Sequence, residues 1–173
     1  VLSCGRGPLN LNRLSTLPRK EFDCSCLQSA YLLDWGYDKL LMVTREHQWY
    51  KKHSEEFRRY GPYSTKRFQC FVFSLDDEKW SKLLSLGDKA VFLGFNSSFA
   101  IDAGGGIKPD CIYFTDDLYE PYRDLPNGGG GDVGVYHMSD GSIGPIMDAQ
   151  EHLFRARPPL WLQTSTIPAI KQI

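Results

Sequence analysis

The stretch Cys111-Ile-Tyr-Phe-Thr-Asp-Asp117 decides the fold class of this chain. Its first four residues favour β-structure and run directly into two carboxylates, and glycine-rich stretches lie before and after it. This pattern is typical of a short buried strand that stops abruptly at a turn. The stretch therefore predicts a strand over Cys111–Phe114.

Further strand-like runs occur along most of the chain, and residues that favour turns separate them. Tyr31–Trp35 and Lys39–Val43 flank Gly36-Tyr-Asp38, which is hairpin chemistry. Similar pairs of runs follow at Phe68–Leu75 with Lys79–Leu84, at Ala90–Leu93 with Ser98–Asp102, and at Val133–Met138 with Ser142–Met147. Many short strands with Gly, Asn and Asp at the turns predict an all-β protein.

Two sets of these runs are similar in layout. The strand-like run that contains Met42 is followed by a charged residue, and so is the run that contains Tyr113. An Asp-containing turn follows the apolar run around Val72, and another follows the run around Val135. Met42 and Tyr113 are 71 residues apart, and Val72 and Val135 are 63 residues apart. The two sets therefore form an irregular repeat that is interrupted by insertions. About two antiparallel blades of a β-propeller would look like this, and the sequence predicts such a partial propeller.

The composition indicates a packed intracellular domain. Hydrophobic residues are 42% and aromatic residues 13% of the 173 residues, enough for a core. No apolar run approaches the roughly 20 residues that span a bilayer, and the N-terminus has no signal-peptide h-region. The five cysteines are irregularly spaced, so we interpret them as reduced thiols in the cytoplasm or nucleus.

Charge is unevenly distributed along the chain. Residues 1–67 carry 12 Lys/Arg and 7 Asp/Glu, whereas residues 68–173 carry 8 and 14, so the two parts have net charges of +5 and −6. This uneven distribution of charge could guide the approach of a binding partner electrostatically.

Several of these motifs together resemble the KIB-type β-propeller domain, a plant family often found behind an F-box. The similar pieces are Tyr31–Val43, Phe71–Leu75 before Trp80, Leu86–Gly94, Cys111–Asp117, Val133–Gly141 and Pro158-Pro-Leu-Trp161, in the order of the family. The resemblance covers only the C-terminal half of that propeller. The propeller domain is predicted over residues 29–173. Residues 1–28 are rich in Ser, Arg, Pro and Gly and show no sustained period, which predicts a poorly ordered lead-in with an edge strand near Leu27.

The resemblance also implies the function. It predicts a non-catalytic protein-recognition module that is similar to the substrate-binding propeller of plant F-box ubiquitin-ligase receptors. No F-box helices are visible in residues 1–28, so a ubiquitin-ligase scaffold is expected as a partner only if an upstream F-box exists. A truncated gene product without independent function is an alternative.

Residues 45–67 mix basic and aromatic side chains. Trp49, His53, Phe57 and Tyr60 follow helical spacing, which predicts a short amphipathic helix inserted between strands. Glu46, Glu55 and Glu56 dilute the positive charge, so direct nucleic-acid binding is disfavoured against packing on the barrel or nuclear import.

No pattern indicates an active site, a metal or a cofactor. Cys24 and Cys26 lack the second ligand pair of a zinc site, and neither glycine run is a phosphate loop. Asp116 and Asp117 are predicted to point to opposite faces, which is poor geometry for a catalytic pair. A carboxylate-using propeller hydrolase is the rival hypothesis, and it would need Asp102, Asp116 and Asp132 to converge.

The predicted partner-binding surface is a set of loops between strands. These loops are Arg45–Arg67, Gly104–Pro109 and Asp116–Asp132, and their target protein is not identified by the sequence. The residues predicted to contact the target are Arg45, Trp49, Lys51, Lys52, Arg58, Arg59, Lys108, Asp116 and Asp117.

Overall fold

A computed structural model describes residues 27–49, 63–117, 131–146 and 160–162. Over these residues the chain forms nine strands in two sheets and no helix. Within the same ranges, there is no helix with the length and apolar character that crossing a membrane requires. The all-β prediction is confirmed.

The first sheet is an antiparallel meander. Its strands β1 (Leu27–Asp34), β2 (Lys39–Trp49), β3 (Tyr63–Ser74) and β4 (Lys79–Leu83) pair in chain order. The turn at Gly36-Tyr-Asp38 has left-handed backbone, with φ of 74°, 35° and 55°, as a tight hairpin requires. Both hairpins predicted for this part of the chain are therefore present. Because β1 begins at Leu27, the strand crosses the predicted boundary between residues 28 and 29.

The second sheet contains one pairing that the sequence did not predict. It is built from β5 (Lys89–Leu93), β6 (Ser98–Asp102), β7 (Cys111–Phe114), β8 (Gly134–His137) and β9 (Ile143–Gly144), in the order β6-β5-β7-β8-β9. The pair β5 and β7 is parallel, whereas the other pairs are antiparallel. After the β5–β6 hairpin the chain returns to the far side of β5, so that β7 lies at the centre of the sheet.

The main core lies between the two sheets. It is formed by Leu33, Leu41, Val43, Phe68, Cys70 and Val72 from the first sheet, by Leu86 from the connection between the sheets, and by Val91, Leu93, Ile112, Phe114 and Tyr136 from the second. A smaller cluster lies on the opposite face of the second sheet, where Phe92 stacks on Phe99 and on Tyr113. Strand β7 is buried on both faces, as the opening stretch predicts. Two blades packed face to face are the result.

The predicted helix is not present where the structure describes its segment. Residues 45–49 belong to β2 and residues 63–67 to β3, where His47 pairs with Thr65 and Trp49 pairs with Tyr63. Cross-strand pairing satisfies these backbone groups and overrides the local helical spacing. The rest of the predicted helix, residues 50–62, lies outside the described residues.

Close packing favours glycine at one position in β8, whereas a glycine in the neighbouring strand β9 has free space around it. A Cβ at Gly134 would lie 3.0 Å from the carbonyl oxygen of Gly144 and 3.0 Å from the ring of Phe114. A Cβ at Gly144 would meet nothing within 4 Å. We therefore expect Gly134→Ala to lower the free energy of unfolding by about 1–3 kcal/mol. The control Gly144→Ala should change it by less than about 0.5 kcal/mol. Urea unfolding of both variants tests this expectation, and equal effects would contradict it.

Candidate functional site

A buried arginine joins the two sheets at one end of the molecule. Arg45 follows Leu41 and Val43 on the inward face of β2, and its side chain has 0% exposure. Its Nη1 donates to the carbonyl oxygen of Thr115 at 2.9 Å and to Asp117 Oδ1 at 2.9 Å. Both acceptors lie just after β7. The Arg45 guanidinium therefore links the first sheet to the C-terminal end of β7, which is the central strand of the second sheet.

The other side of the same guanidinium contacts the entrance to β8. Arg45 Nη2 donates to Asp132 Oδ2 at 2.9 Å and to the Asp132 carbonyl oxygen at 3.2 Å. Its Nε donates to Thr65 Oγ1 at 2.8 Å, and that hydroxyl donates to Asp132 Oδ2 at 2.8 Å. Asp132 Oδ1 accepts the backbone N–H of Thr65 at 2.9 Å. We call Tyr31, Arg45, Thr65, Asp117 and Asp132 the Arg45 cluster.

The charges in the Arg45 cluster are balanced by contact. Burial alone disfavours the guanidinium, but the nearby Asp132 and Asp117 carboxylates outweigh it and raise the pKa of Arg45. The Tyr31 hydroxyl donates to Asp117, and burial raises the pKa of Tyr31 well above its ordinary value. The guanidinium also lies 4.8 Å from the ring centre of Phe114. Arg45 is therefore charged and Tyr31 is neutral over the physiological range.

A histidine next to the cluster is buried without a hydrogen bond to any described residue. The His47 side chain has 0% exposure, and within the described part of the chain neither of its ring nitrogens has a hydrogen-bond partner. Its Nε2 lies 3.7 Å from Asp132 Oδ2, and its ring meets the edge of Tyr63 with centroids 5.5 Å apart. Burial, and then the charge of Arg45, lower the pKa of His47 to about 4. The imidazole is therefore neutral at physiological pH.

The two adjacent aspartates after β7 contact different strands. Asp116 accepts a hydrogen bond from the Tyr63 hydroxyl of β3, whereas Asp117 contacts Tyr31 and Arg45. The side chains thus diverge, as extended backbone predicts. They are not merely turn residues, because each one fixes a tyrosine of the first sheet.

The cluster lies where two long segments begin and end. The segment of residues 50–62 leaves from Trp49 of β2 and rejoins at Tyr63 of β3. The segment of residues 118–130 leaves after Asp117 and rejoins just before Asp132. Arg45 contacts residues at both ends of the second segment and Thr65 near the end of the first. Hydrogen bonds therefore tie the bases of both segments together.

The structure separates the predicted partner-binding residues into groups. Arg45 and Asp116 are buried, and the Asp117 side chain has only 10% exposure, so these three are internal contacts rather than exposed loop residues. This corrects the sequence prediction, and the physical reason is that their opposite charges and polar groups satisfy one another. Trp49 ends β2, and Lys51, Lys52, Arg58 and Arg59 lie outside the described residues.

The third predicted loop lies at the other end of the second sheet. Gly104–Pro109 precedes β7, whereas the Arg45 cluster contacts residues that follow it. Lys108 is exposed there, and its backbone N–H donates to the Tyr113 hydroxyl at 2.9 Å. The described ends of the loops Arg45–Arg67 and Asp116–Asp132 therefore lie at one end of the sheets, and Gly104–Pro109 lies at the other end of the second sheet.

The three carboxylates of the hydrolase hypothesis do not converge. Asp102 is 86% exposed and pairs with Lys89 at the start of β5, whereas Asp116 lies beyond the end of β7, which runs parallel to β5. Four residues of strand separate these ends by roughly 13 Å or more, which exceeds the spacing of paired glycosidase carboxylates. Asp132 is engaged by Arg45 and Thr65. The arrangement does not support that hypothesis.

The two cysteines that lack a second zinc-ligand pair in the sequence, Cys24 and Cys26, lie outside the described residues. In the described ranges, no group of three or more His, Cys, Asp or Glu side chains could hold a metal ion. Cys70 and Cys111 are free and buried within β3 and β7.

Sequence reasoning missed the pairing of Arg45 with Asp117 and Asp132, although one signal was present. Leu41, Val43 and Arg45 alternate on one face of a strand, and a charge that continues a buried apolar alternation requires a buried partner. That signal marks Arg45 as internal. It does not name the partners, which are 72 and 87 residues away in sequence.

Comparison with known proteins assigns the chain to a family. The family described as KIB1-4 beta-propeller matches residues 3–137, which is more than half of the chain. The chain belongs to the KIB1-4 beta-propeller family. The two sheets described above are therefore part of a propeller, and the resemblance drawn from the sequence is confirmed.

Two curated relatives are F-box proteins of Arabidopsis thaliana. F-box protein At2g17690 is 32% identical over 95 residues, which are 53% of this chain and 20% of that protein. F-box protein At1g69090 is 38% identical over 56 residues, which are 32% of this chain and 14% of that protein. The chain thus spans one fifth or less of the relatives that it matches. No solved structure matches it.

Proposed function

We propose that this chain is a non-catalytic protein-recognition module that works as the target-binding propeller of an F-box receptor does. Its target contacts the end of the sheets that carries the Arg45 cluster. The observation behind this proposal is that Arg45 binds Thr65, Asp117 and Asp132 together, so hydrogen bonds join the described ends of two long segments. Loops on a rigid scaffold are the usual place for recognition.

The sequences of the two segments suit a polar protein surface. Residues 50–62 carry Lys51, Lys52, Arg58 and Arg59 together with Glu55 and Glu56, whereas residues 118–130 carry Glu120 and Asp124 together with Arg123. The two segments therefore carry net charges of +2 and −1. Complementary charge on a target gives both specificity and faster association.

The relatives support the setting of this proposal. Both are named F-box proteins, and the family match covers most of the described strands. We extend to this chain the role of target recognition for ubiquitin ligation, with a scaffold engaged only through an F-box. The free buried thiols of Cys70 and Cys111 suit the proposed location in the cytoplasm or nucleus.

Charge reversal at the proposed surface tests the function. Lys51→Glu/Lys52→Glu changes the segment of residues 50–62, and Lys79→Glu/Lys82→Glu makes the same charge change on the exposed positions of β4. We expect a genuine target to lose about tenfold or more in affinity for the first variant, since like charges at an interface repel. The second variant should bind it as the unchanged chain does.

The measurement is quantitative affinity purification from plant extract, followed by titration of each recovered protein against both variants. Equal urea midpoints for the two variants show that folding is intact. Recovery of the same proteins at the same affinity by both variants would contradict the proposed surface.

A further inference from the structure

The end of β5 carries a slot that is filled by a tryptophan of the same chain. The Trp161 indole Nε1–H donates to the carbonyl oxygen of Leu93 at 2.8 Å. The Asn96 carboxamide forms two more bonds, because its Oδ1 accepts from Trp161 N at 3.1 Å and its Nδ2 donates to Trp161 O at 3.0 Å. The Asn96 side chain thus forms hydrogen bonds with both the backbone N–H and the backbone carbonyl oxygen of Trp161.

The slot is shaped for an indole ring. A Cβ on Gly94 would lie 2.8 Å from Trp161 Cδ1 and 2.7 Å from Thr115 Oγ1, so glycine leaves the room that the ring occupies. The Phe92 ring forms one wall, with centroids 4.9 Å apart and an interplanar angle of 81°. Edge-to-face packing of this kind adds to the burial of the ring.

The contacts follow the logic of peptide recognition. The amide of Asn96 replaces the peptide group of a neighbouring strand, which holds any extended segment regardless of its sequence. Selectivity comes from one pocket for one side chain, the indole. Leu160 and Leu162 on either side are 57% and 83% exposed, and Phe95 next to Asn96 is 53% exposed. Three exposed apolar side chains are therefore close in sequence to the residues that form and fill the slot.

We propose that this slot binds an extended peptide segment of a partner protein in which a tryptophan stands between aliphatic residues. The segment Leu160–Leu162 occupies it within the same chain and shows which chemistry fits. A partner segment would displace Trp161 and form the same three hydrogen bonds.

The slot adjoins the proposed recognition end. Leu93 O accepts both the Trp161 indole and the backbone N–H of Thr115 at 3.0 Å, and Thr115 O accepts Arg45. The inference deepens the proposed function and rests on it for its biological meaning. Peptide binding alone tests the slot, whereas charge reversal at Lys51 and Lys52 tests the recognition end, so the two can fail separately.

The experiment uses the full chain with Trp161→Ala and a synthetic probe. The probe is the peptide Pro-Pro-Leu-Trp-Leu with an N-terminal fluorophore, and fluorescence anisotropy measures its binding. We expect Trp161→Ala to bind the probe at least about tenfold more tightly than the unchanged chain, whose slot is filled. A probe with Phe in place of Trp should bind about tenfold more weakly, because it cannot donate to Leu93 O.

Two further variants make the test specific to the slot. Adding Gly94→Ala to Trp161→Ala places a methyl group against Thr115 Oγ1 and should abolish probe binding. Adding Asn96→Ala removes both backbone contacts and should weaken binding about tenfold or more.

A folded Trp161→Ala variant that does not bind the probe at about 1 mM would overturn the proposal and leave Trp161 as an internal clasp. If Trp161→Ala does not fold alone, the probe should restore a cooperative urea transition, and the Phe probe should restore it less well. No restoration would overturn the proposal in the same way.

Discussion

Replacing Arg45 by methionine is expected to lower the free energy of unfolding by about 3–5 kcal/mol. The substitution removes the cation but leaves the Asp117 and Asp132 side chains, which are only 10% and 6% exposed. Unpaired carboxylates in a buried site cost far more than the pair contributes, because their hydration is lost without compensation. The bonds that join Thr115, Asp117 and Asp132 to the first sheet are lost at the same time.

Urea unfolding at neutral pH measures this loss. The matched control is Lys66→Met, which removes a cation from the 2.7 Å pair with Glu46, where the Lys66 side chain is 53% exposed. That change should cost less than about 1 kcal/mol, since exposed pairs contribute little. A loss below about 1 kcal/mol for Arg45→Met would show that the Arg45 cluster does not hold the sheets together.

A triple variant separates the charge effect from the loss of packing. Arg45→Met/Asp117→Asn/Asp132→Asn has no unpaired charge at the site, so it should recover much of the stability that Arg45→Met loses. No recovery would assign the loss to packing against Phe68 and Phe114 instead.

Acid is expected to destabilise the protein through His47 between pH 6.5 and about 4. The pKa of His47 is lowered from 6.5 to about 4 in the folded protein, first by burial and then by Arg45. As pH falls below 6.5, the unfolded chain binds the proton while the folded protein does not, so stability falls. Below about 4 both states are protonated and His47 contributes no further change. Linkage limits this loss to about 3 kcal/mol.

The groups around His47 explain why it resists the proton. Arg45 of the same strand repels the imidazolium, whereas Asp132 before β8 and Asp117 after β7 attract it. Tyr63 and Thr65 of β3 face it without a formal charge. Burial and the repulsion by Arg45 outweigh the attraction by the two carboxylates, because Arg45 already neutralises them.

His47→Phe is the variant that tests this effect. Phenylalanine keeps an aromatic ring against Tyr63 and has no titratable group. Urea unfolding from about pH 7.5 to about pH 4.5 should show that the unchanged chain loses more stability than His47→Phe. Carboxylates elsewhere titrate in both proteins and cancel in the difference. Parallel pH profiles would mean that His47 does not carry the acid sensitivity.

Local chemistry made much of the first sheet predictable. Glycine and aspartate at Gly36-Tyr-Asp38 and the acidic turn at Asp76-Asp-Glu78 mark the two hairpins that the structure contains. Cys111–Phe114 was predicted as a buried strand and is β7. These features depend on neighbours in sequence, where turn propensity and strand propensity act.

Features that depend on distant partners could not be predicted in the same way. The parallel pairing of β5 with β7 depends on which side of β5 the returning chain takes, and no local pattern encodes that choice. The helical spacing that begins at Trp49 does not extend to Trp49 itself, because Trp49 is in β2 and pairs with Tyr63 of β3. Cross-strand partners outweigh local propensity.

The sequence by itself determined the all-β class, the hairpins and the membership of a propeller family, because these follow from local residue chemistry and motif order. Only the tertiary structure decided that Arg45, Asp116 and Asp117 are internal and that Asn96 and Gly94 hold Trp161. The physical reason is that charge pairing and burial depend on positions in space. Arg45 and Asp132 lie 87 residues apart in the chain and 2.9 Å apart in the fold.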